Sequence, residues 1–394
     1  MNLQRLKYID KVVENAVKDD EVTGGTVCII KDGTEVYRKH FGFADREKNI
    51  VFNDSTIFRL FSMTKPITAV ATLMLIERGI LDYNDKVSKY LDGFKNPTVL
   101  DWNTGKGVPA SRELEIRDLL TMTSGLVYPA DWSESCKQMA TLFDKNTQLI
   151  YQGGGMSTVE FCNQMGKIPL VCNPNTAWIY GTSADVLGAI IELASGKSFG
   201  DFLKDEIFTP LGMVDTGFYI PEEKYSRLAQ AYYHDDNGNF KPMDFMNLCI
   251  TDYKKPPMFE SGGAGLVSTI NDYQQFIKML LNHGTLNDIR ILGRKSIDLM
   301  RTPYLNKDIM EDRKKSKDSN SGYNYGCLVR VLEDRQVSGT NASIGEFGWD
   351  GWLGTYFNVD LVENLSVMCF VQECGAGFSN VARRVRSVTY GALD

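Results

Sequence analysis

Residues 62–79 read Ser-Met-Thr-Lys-Pro-Ile-Thr-Ala-Val-Ala-Thr-Leu-Met-Leu-Ile-Glu-Arg-Gly. A serine hydroxyl becomes a nucleophile when a base takes its proton, and a lysine is such a base once it has lost its own. Ser62 and Lys65 stand three residues apart, which places both side chains on one face of a helix. Lysine ordinarily titrates near pKa 10.4, so burial beside positive potential has to lower it for this role. A helix N-terminus supplies such potential and also stabilises developing negative charge. On spacing alone, Ser62 as a helix cap and Lys65 as a surface lysine is the better account, because a pattern with two fixed positions recurs by chance. Near misses at Ser111–Leu114 and Ser135–Gln138 make the point.

Other chemistry has little to work with. The chain holds 3 histidines, His40, His234 and His283, too few for a Cys/His zinc cluster. No HExxH is present. The 8 cysteines include no CxxC pair, and Cys28 and Cys369 sit inside apolar segments, as reduced core thiols do. If the chain is an enzyme, its base is not histidine, and no metal or cofactor is required.

The elements that would carry Ser62 and Lys65 follow from pattern. Ile67, Val70, Ala71, Met74 and Leu75 form an apolar stripe on the helix they open, and Gly79 stops it. Pro66 is tolerated so early in a helix because first-turn N–H groups lack helical partners. Residues 3–18 read as a helix, then Thr26–Ile30 and Glu35–Phe43 as a hairpin around Lys31-Asp32-Gly33-Thr34. Near the other end, Gly354–Asp360 and Leu365–Gln372 read as a second strand pair, followed by a helix over Ser379–Tyr390. Arg117–Met122, Ser183–Ala194 and Phe199–Phe208 read as helices, with Gly196 closing the second. The stretch 306–322 reads as a mobile surface loop, its basic run Arg313-Lys314-Lys315 solvated. Segment 127–175, with Trp132 and Gly153-Gly154-Gly155, is expected to shape specificity.

Over 394 residues, 43% hydrophobic and 24% charged is ordinary for a soluble globular protein. The net charge of −7, from 43 basic and 50 acidic residues, argues against nucleic acid as a partner. No apolar run approaches the ~18 residues of a membrane span. The opening residues Met1–Leu6 run into an amphipathic helix instead of an apolar stretch, so the expectation is a cytoplasmic chain. The oligomeric state is left open.

Flanking segments bring in a resemblance. Phe58-Arg59-Leu60-Phe61-Ser62-Met63-Thr64-Lys65-Pro66 resembles the nucleophile segment of the serine β-lactamase and penicillin-binding protein superfamily, most closely its class C β-lactamase-like branch. Leu119–Leu126, Pro174–Tyr180 and Ile207–Met213 resemble further segments of that branch, in its order. The resemblance runs from about residue 20 to 375 and implies an α+β, β-lactamase/transpeptidase-like fold: an antiparallel sheet flanked by helices on both faces, plus a mainly helical insertion. Residues 1–80 and 255–394 would form the α/β unit and 81–254 the insertion, with Ser62 in the cleft between.

The resemblance also implies roles. Ser62 would be the nucleophile, with Lys65 and Tyr180 sharing proton traffic as one coupled unit. The third motif, on the sheet's edge strand, would be Trp349-Asp350-Gly351, lining the cleft. The Ser62 and Trp352 N–H groups would form the oxyanion hole. Thr182, Trp349, Asp350 and Gly351 would meet the substrate. Two departures matter: Tyr180-Gly181-Thr182 stands where the family has Tyr-x-Asn, and Trp349-Asp350-Gly351 where true β-lactamases have Lys-Thr-Gly. Trp349 cannot anchor a carboxylate, and Asp350, facing the cleft, would repel one. The leading expectation is therefore an esterase-like serine hydrolase acting on a small ester, amide or lactone. The alternatives are a β-lactamase or D-amino-acid-specific peptidase, an acyltransferase, and a catalytically silent ligand-binding module.

Overall fold

The N-terminal hairpin forms as its pattern predicts. Strands Gly24–Lys31 and Thr34–Asp45 pair antiparallel, and Asp32 and Gly33 turn between them at positive φ. That conformation matches the twist of the strands it joins. The structure, a computed structural model, describes residues 1–315, 320–377 and 379–394.

Both ends of the chain build one sheet of 8 strands, in the order Tyr323–Tyr325, Arg330–Leu332, Phe347–Asp350, Thr355–Val359, Leu365–Phe370, Gly24–Lys31, Thr34–Asp45, Ile50–Val51. Every pairing in it is antiparallel. The period-2 alternation of side chains decides which face each residue serves. Val27, Ile29, Tyr356, Val367 and Cys369 meet the terminal helices Tyr8–Lys18 and Asn380–Tyr390. Cys28, Ile30, Phe357, Met368 and Phe370 point the other way, into the core shared with helices Thr64–Glu77 and Ile270–Leu281. Helices thus cover both faces of an antiparallel sheet.

The third-motif strand is not at the edge. Phe347–Asp350 is interior, because residues 323–332 add a further hairpin outside it. That hairpin pairs only with Phe347 and Gly348, so Trp349 and Asp350 run on beyond it.

Between residues 81 and 254 lie helices Ile116–Leu120, Glu134–Tyr151, Thr158–Met165 and Ser183–Ser195. The last ends at Gly196, which adopts the left-handed conformation that closes helices. Helix Phe199–Leu203 continues through a π turn, Lys204–Phe208, into Thr209–Leu211. The stretch expected to be a loop instead carries helix Lys307–Lys315. Ile309 and Arg313, one turn apart on one face, are both buried. A single apolar residue and an arginine make too weak a stripe for sequence periodicity to register. Residues 316–319 of that stretch lie outside the described residues. No helix among the described residues is long and apolar enough to cross a membrane.

Candidate active site

Ser62 sits in a short 3₁₀ turn, Phe61–Met63, that leads into helix Thr64–Glu77. Its N–H falls in the first turn, where no intrahelical acceptor exists. Phe61 holds a φ of 45°, a costly conformation for a bulky residue. Its ring packs edge-on against Trp352 at 5.2 Å, which clamps the turn. Tyr273 Oη donates to Met63 O and Leu266 N–H to Thr64 Oγ1, so the entry to the helix is tied down from two further sides.

Lys65 is wholly buried. Its Nζ lies 3.0 Å from Ser62 Oγ, 3.0 Å from Tyr128 Oη and 2.8 Å from Gly263 O. The three-residue spacing therefore joins serine and lysine directly, and Lys65 is not a surface residue. Tyr180 stands beside them differently. It turns its ring to the ammonium, with the centroid 4.7 Å from Nζ. Its Oη receives the indole N–H of Trp349 at 3.3 Å.

An aromatic wall holds Tyr180. Trp178 stacks on it at 5.9 Å, Trp349 packs at 5.7 Å and Tyr128 at 5.8 Å. Tyr325 meets both tryptophans edge-on. These rings line or back a cleft of about 570 Å³ that opens over Ser62, Tyr180, Trp349, Asp350 and Trp352. Helix Lys307–Lys315 closes another side with Ile309, Asp312 and Arg313. Arg313, expected in a solvated loop, lies 4.2 Å over the Trp178 ring.

Two of the expected substrate contacts sit elsewhere. Thr182 is wholly buried and is not part of the cleft lining; it stands at the start of helix Ser183–Ser195. Gly181 before it presses on the Leu126 carbonyl with no room for a side chain. Gly351 is also outside the lining. It packs against the Leu60 carbonyl, just before the nucleophile turn, and donates its N–H to Thr355 O. Its neighbour Trp352 lines the cleft, and its N–H has no acceptor among the described residues.

Asp350 does face the cleft, but its charge is not bare. It pairs with Arg330, whose side chain is only 1% exposed. The repulsion expected of Asp350 toward a carboxylate is correspondingly weakened.

The Beta-lactamase family model matches residues 9–388. The chain belongs to the beta-lactamase family. Protein Rv1367c of Mycobacterium tuberculosis is 30% identical over 366 residues, covering 91% of this chain and 88% of that protein. Esterase EstB of Burkholderia gladioli is 26% identical over 389 residues, covering 94% and 91%. Among solved structures, EstCE1, a hydrolase with promiscuous acyltransferase activity, superposes with a TM-score of 0.84 at 26% identity over 99% of both chains. The fold is β-lactamase/transpeptidase-like, and this beta-lactamase family member stands among hydrolase and acyltransferase relatives.

Within that family frame, sequence reading missed several residues at the site. Tyr128, Gly263 and Arg330 are contacts between elements far apart in the chain, and none carries a local pattern. Tyr128 had one signal: it closes the Leu119–Leu126 segment, two residues on. Burial pushes its phenol well above the usual range. No residue of the 127–175 segment is part of the cleft lining. Trp132 is exposed and stacks on Trp102 at 6.2 Å.

Proposed function

We propose that this beta-lactamase family member is an esterase-like serine hydrolase that works through an acyl-enzyme on Ser62. The observation that carries the reading is a wholly buried lysine 3.0 Å from a serine hydroxyl at the floor of an aromatic cleft. Ser62 Oγ attacks the carbonyl carbon of an ester, amide or lactone, and its proton passes to the Lys65–Tyr180 unit. The N–H groups of Ser62 and Trp352 receive the developing oxyanion. Collapse breaks the bond to the leaving group, which takes the proton back. Water, or an alcohol or amine in a transferase, then attacks the acyl-Ser62 ester along the same route. The free-acid product leaves with hydrolysis. The cleft's tryptophans and Ile309 suit an uncharged acyl group. The cysteines are free thiols, six of the eight buried, in keeping with a reducing, cytoplasmic setting.

A second reading, β-lactam turnover, draws on Arg313, a cation in the cleft lining. One experiment separates the two. The protein is incubated with p-nitrophenyl esters, nitrocefin and a fluorophosphonate while intact mass is followed. Ester turnover with a single adduct on Ser62 is expected, with nitrocefin slow. Fast nitrocefin turnover would overturn the substrate class. No adduct, with Ser62→Ala behaving like the parent, would overturn the enzyme. Lys65→Ala and Tyr180→Phe are each expected to lower the rate at least ~10²-fold, the usual size of a positioned acid–base effect.

A further inference from the structure

A buried carboxylate stands behind Lys65, out of reach of the cleft. Asp185 is the third residue of helix Ser183–Ser195, and its side chain is 2% exposed. Its Oδ1 accepts the Ser261 hydroxyl at 2.5 Å and the Gly263 N–H at 3.0 Å. The carbonyl of that same Gly263 meets Lys65 Nζ at 2.8 Å. One residue therefore separates the carboxylate from the amine. That residue has no room for a side chain: a β-carbon on Gly263 would lie 2.7 Å from Tyr128 Oη and 2.8 Å from Asp185 Oδ2. Carboxylate, amine and phenol all converge on one glycine.

A buried carboxylate without compensation is costly, and its donors here are one hydroxyl and one N–H on Oδ1. Lys65 supplies the opposing charge. Burial pushes the Asp185 carboxyl above its ordinary value, and the Ser261 hydrogen bond and then Lys65 draw it back. The other groups around the pair do not compete for charge. Cys162 donates to the Asp185 backbone carbonyl at 3.3 Å, and burial pushes both its thiol and the Tyr128 phenol well up. The remaining groups facing Nζ are Ser62, Gly263 and the Tyr180 ring.

We propose that Asp185 is the positioning residue and counter-charge of Lys65. It fixes the Gly263 carbonyl against Nζ, and its negative charge sets the pH at which the Lys65–Tyr180 unit gives up a proton. The inference rests on Ser62 being the nucleophile. Asp185 itself touches no reacting atom. A negative charge at this site stabilises the ammonium, so its removal makes the proton easier to lose.

The test is the pH profile of kcat/KM for a p-nitrophenyl ester in the full chain, normalised to active sites counted with a fluorophosphonate. Asp185→Asn keeps the shape and the acceptor oxygen and removes the charge. Its acid limb is expected to move about one unit to lower pH, the usual effect of a nearby opposite charge. Its kcat is expected to fall about tenfold with KM little changed, because a neutral amide oxygen accepts the Gly263 N–H more weakly than a carboxylate does and so holds Gly263 O less firmly. If Asp185→Asn does not fold, Ser261→Ala is used. It withdraws the 2.5 Å donor and so weakens the ionised form of Asp185, which should move the limb the same way by a smaller amount. A limb that stays in place per titrated site overturns the proposal, including when the variant is only less stable. Failure of the Ser62 reading looks different: no fluorophosphonate adduct forms on the parent protein at any pH.

Discussion

Two phenols flank Lys65, and their surroundings give them different work. Tyr128 Oη lies 3.0 Å from Nζ in a buried site that pushes its phenol well up, so it stays neutral and holds the amine in place. Tyr180 Oη instead receives the Trp349 indole N–H at the cleft. Tyr128→Phe should therefore cost about tenfold in kcat, the worth of one hydrogen bond, against the larger loss set out for Tyr180→Phe. Trp349→Phe keeps the ring packing and removes the N–H, and it too should cost about tenfold. Steady-state kinetics on one ester across the three variants decides the order. A Tyr128→Phe loss as large as that of Tyr180→Phe would give Tyr128 a share of the proton transfer. Ser62, Lys65 and Tyr180 were expected only through the resemblance of their segments to the family's, since spacing alone favoured a helix cap and a surface lysine. Tyr128 and Gly263 were not, because they meet Lys65 across 63 and 198 residues of chain.

At the scale of elements, the strand that carries Trp349 and the turn that carries Ser62 meet at one glycine. A methyl on Gly351 would overlap both the Leu60 carbonyl and Thr355 Oγ1. Leu60 precedes the strained Phe61, so any shift there is passed to Ser62. Gly351→Ala is expected to cost roughly 2–4 kcal/mol and to lower kcat together with stability. Gly79→Ala is the contrast: its φ is 68° but nothing lies near the added carbon. It should cost only about 1 kcal/mol and leave kcat unchanged. Urea midpoints and ester turnover on both variants check the pair, and equal kcat in the two would break the link from strand to nucleophile. The hairpins, the terminal helices and helix Ser183–Ser195 were legible because their periodicity is strong, and Gly196 and Gly391 mark the ends of two of the helices. Helix Lys307–Lys315 was not, since its buried face includes an arginine stacked on Trp178. The interior position of strand Phe347–Asp350 was hidden for another reason: the hairpin that covers it is two strands of 3 residues each.

Over the whole molecule, burial of carboxyl groups sets how stability follows pH. Glu260 is pushed up to about 7 and Glu373 to about 8, from an ordinary 4.5, in both cases chiefly by burial. Glu260 keeps one compensating donor, the Gly200 N–H at 2.7 Å. Around Glu373 stand Glu21, which raises it further, Arg46, which lowers it, and His234 Nδ1 at 3.2 Å. Burial pushes Asp185, Glu192, Asp272 and Glu346 the same way. Between the ordinary value and the raised one, the folded chain binds protons that the unfolded chain has released. Stability from these groups is therefore complete below about pH 4.5 and is lost as pH rises through 7 and 8. Asp54 and Asp215, held low by Arg38 and by Arg227 with Lys224, act in the opposite sense. Their contribution is present above the ordinary carboxylate range and fades only in strong acid. The two trends meet in a stability maximum at about pH 5. Urea midpoints should then fall steadily from about pH 5 to 8 and level off beyond it. Glu373→Gln, which cannot ionise, should recover of order 3 kcal/mol at the alkaline end and change little at pH 5. A midpoint that holds steady or climbs from pH 5 to 8 would mean that these buried carboxyls ionise without cost to the fold.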